Sequence, residues 1–328
     1  MPERDVMKHN STRVRAGSES STITRLGGRL LLVSYLVVGS VPVAGTAAAN
    51  RTVSILHNND LHFSFKHVDA IEGVIAEFRA KYEDVLLLNA GDFVIRRDRW
   101  EQKKIVTNEA GYAQQAKFMV ETMNRLKYDA LVPGNHDLGY EGTITRDCLK
   151  QLNCPVLGAN VVVETDNYIK PEPFIKRTLK NGLKVAILGL SGGGFKAEGV
   201  SLDNPLSTFE KYQFLRNDAD LFILLTHVGL GGDYKLADTY GDKIDVIVGG
   251  HSHSMLNPHE LRNGVLIGQV GDGYSFPGYL GVMRLTFDAA GKCIGKEGEV
   301  LFFRNDKLVK PSRLLQDKDE AAVIKPAA

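Results

Sequence analysis

Short runs of Val, Ile and Leu recur along the chain, separated by stretches in which apolar residues return every three or four positions. A continuous apolar run suits a strand buried on both faces, whereas the three-to-four spacing gives a helix one apolar face. The alternation of the two predicts an α/β core with strands at residues 53–57, 85–89, 130–133, 156–159, 221–225 and 246–248. Helices are expected at 70–82, where Ile71, Val74, Ile75 and Phe78 share a face, and at 112–126, where Phe118, Met119, Met123 and Leu126 do. Residues 174–179 and 184–188 flank Asn181-Gly182, a pair that accepts the positive φ angles of a tight turn, so they read as a hairpin. Residues 265–270, 279–287 and 299–303 read as further strands joined by Gly-rich turns, which predicts a second sheet packed beside the first.

The first 49 residues break this pattern. Arg13, Arg15, Arg25 and Arg29 precede an apolar run at 30–41, and small residues ending in Ala47-Ala48-Ala49 follow, the layout of a secretory signal peptide. The apolar run is shorter than the roughly 20 residues a spanning helix needs, so no membrane span is expected after cleavage. Met7 offers an alternative start. Composition adds exclusions: 43% hydrophobic and 24% charged residues describe a globular chain, and a net charge of +1 lacks the basic excess of a nucleic-acid binder. Cys148, Cys154 and Cys293 are too few for a disulfide scaffold; Cys148 and Cys154 are near enough in sequence to bridge, and three unpaired thiols fit equally well.

Candidate chemistry falls where the predicted strands end. Asn59-Asp60-Leu61-His62 follows the first, Gly91-Asp92 the second and Gly134-Asn135-His136-Asp137 the third. His227 follows residues 221–225, and Gly249-Gly250-His251-Ser252-His253 follows 246–248. Open α/β sheets bind ligands beyond the carboxyl ends of their strands, so these residues should converge on one rim. Imidazole, carboxylate and amide oxygen together suit first-row divalent ions, and there are more donors than a single four-coordinate ion uses. Two ions ~3.5–4 Å apart, sharing a carboxylate, would employ them all.

The ordered set Asp-x-His, Gly-Asp, Gly-Asn-His-Asp, His and Gly-His-x-His resembles the calcineurin-like metallophosphoesterases. Residues 54–62, the stretch Met123-Asn124-Arg125-Leu126-Lys127-Tyr128-Asp129-Ala130 and residues 155–161 look like the 5′-nucleotidase branch of that superfamily. The resemblance, over roughly residues 52–303, implies a four-layer αββα sandwich of two mixed sheets flanked by helices. It implies that one metal takes Asp60, His62, Asp92 and His253, and a second takes Asp92, Asn135, His227 and His251. A hydroxide between the metals would attack phosphorus, with His136 assisting the leaving oxygen and Asp137 as the nearby carboxylate. The ions would be Mn, Zn, Fe or Co, and the substrate a small phosphoester, nucleotides first.

The expected organisation is therefore a signal peptide at 1–49, a catalytic domain at 50–305 and a tail at 306–328, in a protein of the periplasm or the medium. Two departures qualify the likeness. Relatives place an Asp three residues after the catalytic His, where this chain has Gly139, and they carry a second, nucleoside-holding domain that is not expected within these 328 residues. A separate recognition subunit could supply that surface. Arg96 and Arg97 could meet a substrate phosphate, with Asn135, Tyr274 and Phe276 as further contacts, although a solvated loop and turn packing account for the Arg and aromatic residues too. On the same rim chemistry, a cyclic-nucleotide phosphodiesterase, a sulfur-ester hydrolase or a metal-binding accessory protein without turnover are the rival functions. Of the remaining histidines, His57 is expected to pack within its strand, His259 to lie on the surface, and His67, also at the surface, to be an outside candidate for substrate contact.

Overall fold

A computed structural model of the chain describes residues 50–95, 108–139, 143–273, 278–310 and 312–316. The apolar runs form strands, and these sort into two six-stranded sheets and a two-stranded ribbon. The first sheet contains β1 (Arg51–Asn58), β2 (Val85–Asn89), β3 (Ala130–Leu131), β12 (Tyr279–Phe287), β13 (Cys293–Arg304) and β14 (Lys307–Leu308), in the order β14-β13-β12-β1-β2-β3. The second contains β5 (Phe174–Thr178), β6 (Lys184–Leu190), β8 (Leu221–Thr226), β9 (Val246–Val248), β10 (Glu260–Arg262) and β11 (Val265–Gly268), in the order β10-β11-β9-β8-β6-β5. The ribbon pairs β4 (Val161–Val163) with β7 (Val200–Leu202).

The strands expected to form one parallel core are divided between the two sheets. β1, β2 and β3 run parallel in the first, and β6, β8, β9 and β11 run parallel in the second. Each group is completed by antiparallel partners, β12 against β1 and β5 against β6, so both sheets are mixed. The expected strand at 156–159 is instead a crossover. Leu157 N donates to Leu131 O of the first sheet, where Val156 forms a single parallel bridge with Leu131, and Ala159 N donates to Gly189 O of the second, so the segment spends its amides on two sheets and extends neither by a full strand.

The side-chain alternation explains the layering. Val53, Ile55, Leu86 and Leu88 point between the sheets, where they meet Val185, Ile187, Leu221, Ile223 and Leu225. The intervening Leu56 and Leu87 point outward beneath the helices Val68–Lys81 and Glu109–Leu126. On the far side Ala186, Leu188, Phe222 and Leu224 lie beneath the helices Pro205–Tyr212 and Leu230–Tyr240. Apolar residues on both faces of a strand require cover on both faces, and the result is helix, sheet, sheet, helix. In the Glu109–Leu126 helix the buried face carries Tyr112, Ala116, Met119, Met123 and Leu126. Phe118, expected with them, is 40% exposed, because successive positions on a helix point about 100° apart. Cys148, Cys154 and Cys293 are free thiols.

Candidate metal centre

The parallel strands β1, β2, β3, β8 and β9 all end on the same rim, and the chain turns sharply as it leaves them. Asp60, His62, Asp92, His251 and His253 have φ angles of 51°, 48°, 55°, 78° and 54°. Residues with a Cβ rarely take this left-handed conformation, and clusters of them mark sites whose surroundings enforce it. The enforcement here is backbone pairing: Asp60 N donates to Gly91 O at 2.9 Å, His62 N to Asp92 O at 2.9 Å, and Gly273 N to Asp60 O at 2.8 Å. Gly134 is needed for a different reason, since a Cβ there would lie 2.1 Å from Asp92 Oδ1.

These turns aim the side chains inward. Asp60 Oδ1 lies 3.3 Å from His253 Nε2, 3.7 Å from His62 Nε2 and 3.9 Å from His227 Nε2. Asp92 Oδ2 lies 3.2 Å from His227 Nε2 and 4.0 Å from His62 Nε2. Asn135 Oδ1 and His251 Nδ1 are 2.8 Å apart at the edge of the same cluster. Three overlapping sets of donors could each hold an ion: Asp60, His62 and His253; His62, Asp92 and His136; and Asp60, Asp92 and His227.

Burial sharpens the case for a cation. Asp60 Oδ1 and His227 Nε2 are buried and make no hydrogen bond, yet they face each other. A buried carboxylate oxygen left without a donor costs about 1–3 kcal/mol or more, and a bound metal ion would satisfy both atoms at once. His227 Nδ1 lies 2.6 Å from Ala90 O and so carries a proton, which leaves Nε2 as the ring atom facing the carboxylates and available to a metal. Burial alone would raise the carboxyl of Asp92, but His227, His136 and His62 hold it well below the usual range. Asp60 is likewise lowered, its burial outweighed by His227 first. Burial would lower His227, yet the facing Asp92 and Asp60 push it up to about 10. Burial does prevail at His62 and His251, both lowered, whereas Asp60 and Asp272 overcome it at His253, which is raised.

The geometry corrects the expectation for Asp137. Its Oδ2 accepts Asp92 N at 2.6 Å and Gly134 N at 2.9 Å, and its Oδ1 accepts Val94 N at 3.2 Å. Both oxygens are spent on backbone amides, so Asp137 pins the Asp92 turn to the short helix Asn135–Leu138 and does not orient the ring of His136. Burial and the Asp92 carboxylate raise its pKa to about 8. His136 is half-buried, its ring edge-on to that of His62 with centroids 4.7 Å apart, and its backbone N donates to Asp92 Oδ1 at 2.8 Å.

His259 also departs from expectation. It is 7% exposed, not on the surface, and its Nε2 lies 2.8 Å from His57 Nε2. Glycine makes the room, since a Cβ on Gly298 would approach His259 Cδ2 to 2.5 Å. His67 is engaged with Asp306, Nδ1 to Oδ1 at 2.8 Å, away from the donor cluster's contacts. Arg96, Arg97, Tyr274 and Phe276, and residues 1–49, lie outside the described residues. Sequence reasoning missed Asp272, whose Oδ2 is 3.5 Å from His253 Nδ1. The signal was present: Gly271-Asp272-Gly273 is a Gly-flanked carboxylate like Gly91-Asp92.

Buried Asp and His side chains converge over the strand ends of a two-sheet sandwich, an arrangement suited to holding divalent metal. Residues 53–255, more than half of the chain, match the calcineurin-like phosphoesterase family, and the chain belongs to it. Among curated relatives, the venom 5′-nucleotidase of Crotalus adamanteus is 29% identical over 326 residues, covering 84% of this chain and 52% of that protein. The apyrase of Tabanus yao is 26% identical over 261 residues, covering 70% and 44%. The chain thus spans about half the length of these relatives. Among solved structures, a 5′-nucleotidase precursor from Thermus thermophilus superposes with a TM-score of 0.58 at 25% identity, over 77% of this chain and 54% of that one. No helix among the described residues is long and apolar enough to cross a membrane.

Proposed function

We propose that this chain is an exported phosphomonoesterase of the 5′-nucleotidase kind, working with two divalent ions drawn from Mn, Zn, Fe or Co. The observation that carries the reading is the overlap of the three donor sets, in which Asp60, His62 and Asp92 each belong to two; Asp92 is assigned the carboxylate shared between the ions. Asp60, His62, Asp92 and His253 would hold one ion, and Asp92, Asn135, His227 and His251 the other. When bound, such a pair supplies positive charge to the phosphoryl oxygens and lowers the pKa of the attacking water.

The remaining work belongs to the chain. Asp137 fixes the Asp92 turn through three backbone amides, so the shared carboxylate is held before substrate arrives. His136 is assigned the proton that the leaving oxygen needs, because its ring adjoins His62 on the rim and stays partly open. Contact with the rest of the ester is assigned to Asn135, Arg96, Arg97, Tyr274 and Phe276, with a separate recognition subunit as the other source. The basic and apolar layout of residues 1–49 supports export.

The test is turnover of p-nitrophenyl phosphate, its bis-ester and 5′-AMP by the full chain with Mn or Zn. Monoester and 5′-AMP should be hydrolysed faster than the bis-ester; a faster bis-ester would favour a phosphodiesterase. No turnover of any ester while metal stays bound would favour a binding protein. His136→Ala should retain metal and lose about 10²–10⁴-fold in kcat, and an unchanged rate would remove His136 from the proton transfer.

A further inference from the structure

Behind the rim lies a buried carboxylate that takes no place in the donor sets. Asp233, in the Leu230–Tyr240 helix, is fully buried. Its Oδ1 accepts a hydrogen bond from Thr226 Oγ1 at 2.6 Å, and its Oδ2 accepts one from Gln269 Nε2 at 2.7 Å. Gln269 Oε1 in turn accepts from Ser252 Oγ at 2.8 Å, while Ser252 Oγ accepts from Leu230 N at 3.0 Å and lies 3.0 Å from Ser254 Oγ.

Each contact ends beside a metal-ligand candidate. Thr226 directly precedes His227, and Ser252 separates His251 from His253. A Cβ at Gly249, two residues before His251, would lie 2.1 Å from Asp233 Oδ2 and 2.9 Å from Gln269 Nε2, so that turn rests on the same two side chains. We propose that Asp233 and Gln269 are positioning residues that set the placement of His227, His251 and His253 toward metal. The inference rests on the metal-binding reading above.

The polarity of the chain of bonds follows from the donor inventory. A carboxylate only accepts, so Gln269 must turn its NH₂ to Asp233, which leaves its carbonyl oxygen for the Ser252 hydroxyl. Ser252 is thereby fixed in one orientation between two ring-bearing residues whose backbones are both held in the left-handed region. Outer partners of this kind typically affect metal affinity by about 10–100-fold.

The full chain is stripped of metal with a chelator and titrated with Mn²⁺ by calorimetry, and the melting temperature of the metal-free protein is recorded alongside. Two variants are compared with the wild type: Gln269→Met, which removes both ends of the link at similar volume, and the double variant Asp233→Asn with Gln269→Glu. The double variant exchanges amide and carboxylate but keeps every donor opposite an acceptor: Asn Oδ1 takes Thr226, Asn Nδ2 donates to Glu, and Glu accepts Ser252. Gln269→Met should bind Mn²⁺ about 10–100-fold more weakly while its metal-free melting temperature stays within a few degrees of wild type. The exchange variant should bind within about threefold of wild type.

Unchanged affinity in Gln269→Met overturns the inference, as does an exchange variant no better than Gln269→Met. A large fall in metal-free melting temperature at unchanged Mn²⁺ affinity would mark a merely structural role. If Gln269→Met does not fold, the exchange variant decides alone, wild-type affinity supporting the proposal and weak binding or misfolding overturning it. Wild-type protein that takes up no Mn²⁺ would overturn the metal-binding reading, and the inference with it.

Discussion

Two groups of buried histidines lie within one strand end of each other, and one member of the first behaves oppositely to the second. On the rim, His227 faces Asp92 and Asp60 and is pushed up to about 10. Between the sheets, His57, three residues before Asp60, faces only His259 across 2.8 Å; burial holds His57 well below its ordinary value and His259 near 4. His259 Nδ1 is 2.8 Å from Leu256 O, so it carries a proton there and its Nε2 accepts one from His57. His57 Nδ1 is left buried without a partner. Both environments are dry, so dryness does not decide the outcome. At His227 the two facing carboxylates outweigh burial and make the ring a cation whose proton metal can displace, whereas at the inter-sheet pair, and at His62 and His251 on the rim itself, burial prevails.

The largest effect comes from breaking the rim at the carboxylate assigned to both ions. Asp92→Asn removes the charge that two donor sets have in common, while the new amide can still accept the His136 amide bond seen at 2.8 Å. Metal content should fall at both places and turnover by at least about 10⁴-fold, since the ions account for several kcal/mol of transition-state stabilisation. The inter-sheet pair should not notice, so its share of the acid sensitivity should persist in the metal-free variant, while the stability that the depressed Asp92 carboxyl gives the wild type, lost in acid, should be missing from it. Elemental analysis finding two tightly held ions in the variant would end the bridging assignment.

How much of this could be read from the sequence follows the same divide. The rim was legible because each donor follows a strand and sits beside glycine, as Gly91-Asp92 and Gly249-Gly250-His251 do. A second sheet was legible from the hairpin and the late Gly-turned strands, but which parallel strands enter which sheet was not. Periodicity marks 221–225 as a strand buried on both faces, but nothing in Leu, Phe and Ile says which sheet receives it; that is set by pairing with β6, which belongs to the earlier hairpin with β5. Asp137 was misassigned because adjacency to His136 carries no direction, whereas three backbone amides do. His259 looked like a surface residue in the polar segment Asn257-Pro258-His259-Glu260, and only the glycines of distant strands reveal the space it fills.

The inter-sheet pair supplies the next effect. Both rings have folded pKa values below the unfolded value of 6.5, so the unfolded chain binds more protons in acid. The stability they contribute is complete above about pH 6.5 and is lost as the pH falls toward 4. For His259 the drop to about 4 corresponds to roughly 3 kcal/mol, with a further loss of the same sign from His57. Urea unfolding of metal-free protein at pH 7.5 and pH 4 separates this from the rim. Wild type should lose at least roughly 3 kcal/mol more than the double variant His57→Leu with His259→Phe, which has nothing to protonate there. Parallel losses in the two proteins would show that the pair does not titrate in this window.

The smallest effect tests the rim's half of the comparison, and its sign is reversed. Because His227 is raised to about 10, it is a cation in metal-free protein at pH 7.5. Its attraction to Asp92 and Asp60 stabilises the metal-free fold fully below pH 6.5 and fades as the pH rises through about 10. Metal needs the same Nε2 lone pair, so loading must expel that proton. Mn²⁺ titration in buffers of different ionisation enthalpy should therefore register about one proton released per chain at pH 7.5, with a fraction more from His253, which is also raised. Affinity should tighten about tenfold for each unit of pH between 7 and 9, or roughly 1.4 kcal/mol. The His57→Leu, His259→Phe variant should release the same number, because those rings are already neutral. A titration releasing no proton would mean that His227 stands neutral beside two carboxylates, and the contrast between the two histidine groups would then have to come from something other than the charge they face.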